Sequence, residues 1–203
     1  MTIQIVGSAT SIVTSSPKVS VPEVLAGDLI VLLLLRYTSS SQPANPSGFT
    51  SLYTGSGSRL SYRVAAADSQ ATSVTSEYTQ RAVVAVFRGV NPTTPFSETQ
   101  FGGRDTRASF SVAGMSSASP RASQFALLFS ASDGIAALTP PPLPDFVIER
   151  HETAGYIGYV AGEALAGGVV SMNGSYVSTW AVIGLVPITA PERQRSRLIL
   201  TPW

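Results

Sequence analysis

The sequence predicts an all-β protein: an antiparallel two-sheet sandwich, jelly-roll-like, with internal duplication and an extended C-terminal arm. Apolar runs of four to eight residues alternate with clusters of Gly, Pro, Ser, Thr and Asn, the rhythm of a sandwich or barrel. No stretch keeps apolar residues at helical spacing for several turns. The second half also repeats the first, since Phe49 to Phe146 and Tyr62 to Tyr159 are each 97 positions apart. Two copies make a folded pair of related halves and not a solenoid, which needs more stacked units.

Taken in order, the predicted strands begin with Ile3–Val6 and Lys18–Val21, where apolar and polar residues alternate. Asp28–Arg36 contains seven consecutive aliphatic residues, Leu29 to Leu35. Phe49–Tyr53 follows the turn Pro46-Ser47-Gly48, and Arg59–Ala65 follows the flexible loop Gly55-Ser56-Gly57-Ser58. Ala82–Arg88 ends at the loop Val90-Asn91-Pro92, because proline lacks a ladder donor and restricts the residue before it. Gly102-Gly103-Arg104-Asp105 reads as a turn before Ala108–Val112. Gln124–Ala131 precedes the loop Thr139-Pro140-Pro141-Pro142, and Phe146–Arg150 and Tyr156–Ala161 come next. The segment 161–167 suits a short helical turn. Gly168–Met172 and Val177–Val186 read as a hairpin turned at Asn173-Gly174, a pair that tolerates positive φ.

The strands around Leu32, Val84, Leu127 and Ile183 are apolar at successive positions. A sandwich strand with one wet face should alternate, so both faces must be covered. Two covers remain open: the chain's own loops and termini, or neighbouring subunits packed on the sheets.

One domain is expected over residues 1–187, with related halves at about 24–95 and 120–187, and an arm over 188–203. Prolines bracket the arm, and Arg193, Arg195 and Arg197 alternate with polar residues before Leu198-Ile199-Leu200 and Trp203. A free tail has little use for such an apolar tip. The favoured reading has these seven residues binding a partner subunit by strand addition or by filling a pocket. A frayed terminus and a nucleic-acid contact through the arginines are the alternatives.

Charged residues are 12% of the 203-residue chain and apolar ones 44%, with a net charge of +1. So little charge implies that much of the outer surface is covered by partners. Scattered basic residues leave no nucleic-acid footprint. Zero cysteines exclude disulfides and thiolate metal sites. The longest apolar run is too short for a bilayer, and no signal-peptide pattern opens the chain, so a soluble product outside the general secretory route is expected. His151, the one histidine, is followed by Glu152 with no second ligand a turn away, and reads as part of the turn after the Phe146 strand. Glu149 and Glu152 are the closest acidic cluster but offer no two-sided carboxylate cleft. No nucleophile elbow, phosphate loop or calcium loop is present. No catalytic residues, metal or cofactor are therefore expected. Tyr37, Tyr53, Tyr78, Tyr156 and Tyr176 lie near strand ends or loops, where spacing alone does not place them on one face.

Several of these segments resemble a known group. Ala26-Gly27-Asp28-Leu29-Ile30-Val31, Pro46-Ser47-Gly48-Phe49-Thr50, Tyr62-Arg63-Val64-Ala65 and Val86-Phe87-Arg88-Gly89-Val90-Asn91-Pro92 are similar to a recurrent β-sandwich module of tailed-bacteriophage and prophage virion structural proteins. Phe49 stands where the module usually has Trp. Ile148-Glu149-Arg150-His151, the segment 161–168 and Trp180-Ala181-Val182-Ile183-Gly184-Leu185 continue the likeness, which spans about residues 24 to 187. The arm lies outside it. The resemblance implies a non-enzymatic virion component assembled in a bacterial cytoplasm. Its expected partners are other virion proteins, contacted as a homo-oligomer that decorates and cements the capsid through apolar sheet faces and the arm. The alternative is a tail, collar or fibre protein contacting host-surface glycan.

Overall fold

A computed structural model describes residues 3–12, 18–116, 124–132, 147–152, 155–161 and 164–188. Its described elements are all β. The first large sheet is built on β3 (Leu29–Leu35), flanked by β5 (Ser58–Val64) and β7 (Arg81–Arg88). Outside these lie β4 (Thr50–Gly55) and β1 (Gln4–Ile12), giving the order β1-β7-β3-β5-β4. The second sheet is built on β10 (Gln124–Ala131), flanked by β12 (Gly155–Ala161) and β14 (Gly168–Leu185). Its edges are β11 (Val147–Glu152) and β8 (Phe96–Val112), giving β11-β12-β10-β14-β8. Two small ribbons complete the molecule: β2 (Lys18–Val21) with β6 (Thr72–Thr75), and β9 (Met115–Ser116) with β13 (Ala164–Leu165). Every pairing in both sheets and both ribbons is antiparallel.

The two sheets have one topology. The 97-residue spacing carries β4 onto β11 and β5 onto β12, and carries β7 onto the last eight residues of β14. The likeness of the two sheets extends to the edges, where β8 takes the place of β1. In space β1 lies against β11 and β12, while β4 lies against β8. Each half thus meets the other through the same two edges, the self-complementary geometry of a twofold dimer contained in one chain.

Three apolar layers follow from strand alternation. Val31, Leu33, Leu60, Val83, Ala85 and Phe87 of the first sheet meet Ala126, Leu128, Ile157, Ala181, Ile183 and Leu185 of the second in a central layer. Ile30, Leu32, Leu34, Val84 and Val86 point outward and are roofed by Val19 and Val21 of β2, Val24, Phe49 and the half-buried Val74. On the other side, Phe125, Leu127, Phe129 and Val182 are roofed by Phe110, Val112, Met115, Leu165 and Val170. There the Phe110 ring stacks on Phe129 and on Trp180, with centroids 5.7 and 4.9 Å apart. The continuously apolar strands are therefore covered by the chain's own ribbons, and neighbouring subunits are not needed to explain them.

Several expectations are corrected. Gly102–Asp105 is not a turn but part of β8, which runs from Phe96. A Cβ on Gly102 would strike the Trp180 indole, so the glycine is there for packing. The expected hairpin at Asn173-Gly174 is instead an irregularity within one long β14, where register shifts between Ser171 and Tyr176. The expected helical turn contains the short strand β13. β6, β9 and β13 were missed, two because they are only two residues long, and β6 because its Thr-Ser-Val-Thr face is largely exposed. The loop 139–142 lies outside the described residues.

Candidate functional site

The described part of the chain stops short of the predicted arm. Arg193, Arg195, Arg197, Leu198, Ile199, Leu200 and Trp203 all lie outside the described residues. The point of departure is fixed, however: Pro187 bridges to Val90, and the exposed Ile188 donates its N–H to the Gly89 carbonyl at 2.8 Å. His151 and Glu152 lie within β11, opposite Tyr156 and Gly155, and not in the turn that follows a shorter strand. Glu149 also belongs to β11. Among the described residues, no group of three or more His, Cys, Asp or Glu could hold a metal ion. No helix of the described residues is long and apolar enough to cross a membrane.

The motif residues of the first half converge at the end of the sandwich from which Ile188 departs. Gly27, at φ 88°, donates to the Ala65 carbonyl, and Ala65 donates to that of Asp28, both at 2.8 Å. The Asp28 carboxylate is buried and accepts Arg88 Nε at 2.9 Å and Nη2 at 2.8 Å. It also accepts the Leu25 N–H at 2.8 Å, so it closes its own turn. The hydrogen bond to Asp28 raises the Arg88 pKa further above its ordinary value. Gly48, at φ 77°, opens space beside Arg63, whose guanidinium lies 4.8 Å over the Phe49 ring. That contact is a cation–π pair, which an aromatic residue at Phe49 supplies. Gly89, at φ 82°, turns the chain after Arg88. These residues thus join the turns and strands of one sheet end.

The opposite end collects arginines and tyrosines from strands far apart in sequence. Arg36 N–H donates to the Gly57 carbonyl at 2.7 Å, and its guanidinium lies 4.9 Å over the Tyr78 ring. Arg81 lies 5.0 Å over Tyr37 and donates from Nη2 to the Ser132 carbonyl at 2.9 Å, tying the two sheets. Arg104 Nη2 donates to the Tyr37 carbonyl at 2.9 Å, while its backbone N–H donates to Ser58 Oγ at 3.0 Å. A Cβ on Gly57, at φ 67°, would strike the Arg104 side chain. Arg107 Nη2 donates to the Gly103 carbonyl at 2.7 Å and lies 3.6 Å from the exposed Asp105 carboxylate. Tyr53 and Phe101 pack ring on ring at 3.7 Å beside them. Tyr78 has φ 63°, a rare conformation for a residue with a Cβ, and the residue is 58% exposed.

Three of the five tyrosines noted in the sequence, Tyr37, Tyr53 and Tyr78, therefore share this end. Tyr156 is buried in the layer behind the second sheet, where desolvation pushes its phenol well above the ordinary value. Tyr176 packs against that layer and donates to Asn173 Oδ1 at 3.0 Å. Sequence reasoning missed the gathering of Arg36, Arg81 and Arg104, because it is created by tertiary contact. The one local signal was that each lies at a strand end or beside a glycine. Comparison with family models, with curated proteins and with solved structures returned no match to this chain.

Proposed function

We propose that this chain is a non-enzymatic structural protein of a tailed-phage particle, a subunit that decorates and cements the capsid. The observation that carries the reading is the joint at the Asp28 end. Asp28, Arg88, Phe49, Arg63 and their glycines, the residues on which the likeness to the phage module rests, interlock there. They form one unit, as residues of a common structural module should.

The mode of attachment is narrowed by burial. The apolar sheet faces are roofed by the chain itself, so partner contact falls to the sandwich ends, the open strand edges and the arm. The arm departs beside the Asp28 joint and is the proposed fastening to a neighbouring shell subunit. Two antiparallel sheets packed face to face support the sandwich part of the reading, and the jelly-roll-like wiring stays a proposal. In strand order the chain crosses between the large sheets once, from β7 to β8. Symmetric homo-oligomers on the shell are part of the proposal.

Electron microscopy of particles decorated with an antibody against the chain tests it. Regular labelling over the capsid is expected, and loss of that labelling when residues 191–203 are deleted from a chain that still folds. Particles without the protein, or labelling confined to the tail, would overturn the decorating role.

A further inference from the structure

We propose that the arginine–tyrosine end of the sandwich binds an acidic glycan, a sugar chain bearing carboxylates, with Tyr78 as stacking plate and Arg36, Arg81 and Arg104 as the carboxylate contacts. The inference does not rest on a virion role, since the same face exists on the isolated chain.

Charge supplies the first argument. Among the described residues, Arg36, Arg81 and Arg104 have no carboxylate partner; the ion pairs are Arg88 with Asp28 and Arg107 with Asp105. Among the described residues, the carboxylates that sequence and register place at this end are Asp105, 3.6 Å from Arg107, Glu77 beside Tyr78, and Glu152 at the end of β11. The Nε atoms of Arg81, Arg104 and Arg107 are buried without a hydrogen-bond acceptor, as is that of Arg63 at the other end, so the protein leaves these guanidinium groups incompletely satisfied.

Preorganisation supplies the second. Tyr37 lies under Arg81 and Tyr78 under Arg36, so each guanidinium plane is held by a ring. Backbone carbonyls of Tyr37 and Ser132 fix Arg104 and Arg81 further. A planar donor held in place loses little freedom when it meets a carboxylate, and its fork geometry matches that anion. Tyr78 keeps a strained backbone while exposing its ring, and strain of this kind collects where a side chain must be aimed. A flat, exposed ring beside carboxylate-seeking groups suits a sugar with an apolar face and an acidic substituent.

Nucleic acid fits less well. Its affinity grows with the number of phosphates neutralised, and among the described residues the proposed contacts are only the three guanidinium groups of Arg36, Arg81 and Arg104, with no lysine among them.

Titration of the full-length chain with a galacturonate oligomer, followed by calorimetry, tests the proposal. A neutral glucose oligomer of equal length and a single-stranded oligothymidylate serve as controls. Binding of the acidic oligomer is expected, at least about tenfold tighter than either control. Arg36→Gln and Tyr78→Asn should each weaken it about tenfold at unchanged thermal midpoint, Asn being suited to positive φ. Absence of binding at millimolar oligomer would overturn the proposal. So would equal affinity for the neutral sugar, tighter binding of the oligonucleotide, or binding that ignores both substitutions.

Discussion

At Asp28 one buried carboxylate accepts three hydrogen bonds, two from Arg88 and one from the Leu25 N–H. Asp28→Ala leaves Arg88 without its partner and the turn unclosed. It should cost roughly 2–3 kcal/mol, read as a fall in the thermal midpoint of roughly 5–10 °C. The joint was visible in the sequence only as a set of familiar strings. That Ala26-Gly27-Asp28 and Phe87-Arg88-Gly89 touch is a fact of strand pairing, Leu29 lying opposite Phe87, which no local pattern reports. Tyr156 gives a second test at this scale. Its phenol titrates near pH 10 in an unfolded chain, and burial raises that value in the fold. The folded chain therefore retains a proton that the unfolded one gives up, and stability is full below about pH 10 and falls as pH rises above it. Urea unfolding of Tyr156→Phe should show a flatter decline between neutral and strongly alkaline pH than the parent.

The strands themselves were the most legible elements. Lys18–Val21 and Gln124–Ala131 stand where the alternation and apolar runs put them, and β3, β4, β5, β7, β11 and β12 differ by one or two residues at their ends. By contrast, β1, β8 and β14 run well beyond the predicted Ile3–Val6, Ala108–Val112 and Val177–Val186. Glycine and asparagine misled where long strands absorb them: Gly102-Gly103 accommodates Trp180, and Asn173-Gly174 sits in a bulged stretch of β14. Both were read by turn chemistry, yet the cross-strand neighbours decided. The continuous apolar strands have a direct consequence. Leu32 and Leu33 face opposite layers, and both are 0% exposed. Leu32→Ala and Leu33→Ala should each lower stability by about 3 kcal/mol in denaturant titrations. A sheet with one wet face would spare one of them. Gly102→Ala should cost roughly 1–3 kcal/mol by the same readout, since Trp180 must shift to admit the methyl group.

Across the whole molecule, two topologically equivalent sheets bury a shared layer, and each carries its own roof. The 97-residue spacing made the duplication readable, whereas of the roofing ribbons only β2 was legible, β6, β9 and β13 being short or largely exposed. This organisation covers the apolar sheet faces without a neighbouring subunit. Hydrogen exchange on the full chain, at a dilution where it sediments as a monomer, tests that claim most directly. The account predicts that amides of β3, β7, β10 and β14 are the slowest in the protein and unchanged on concentration. Rapid exchange in those strands that slows only as subunits associate would contradict it.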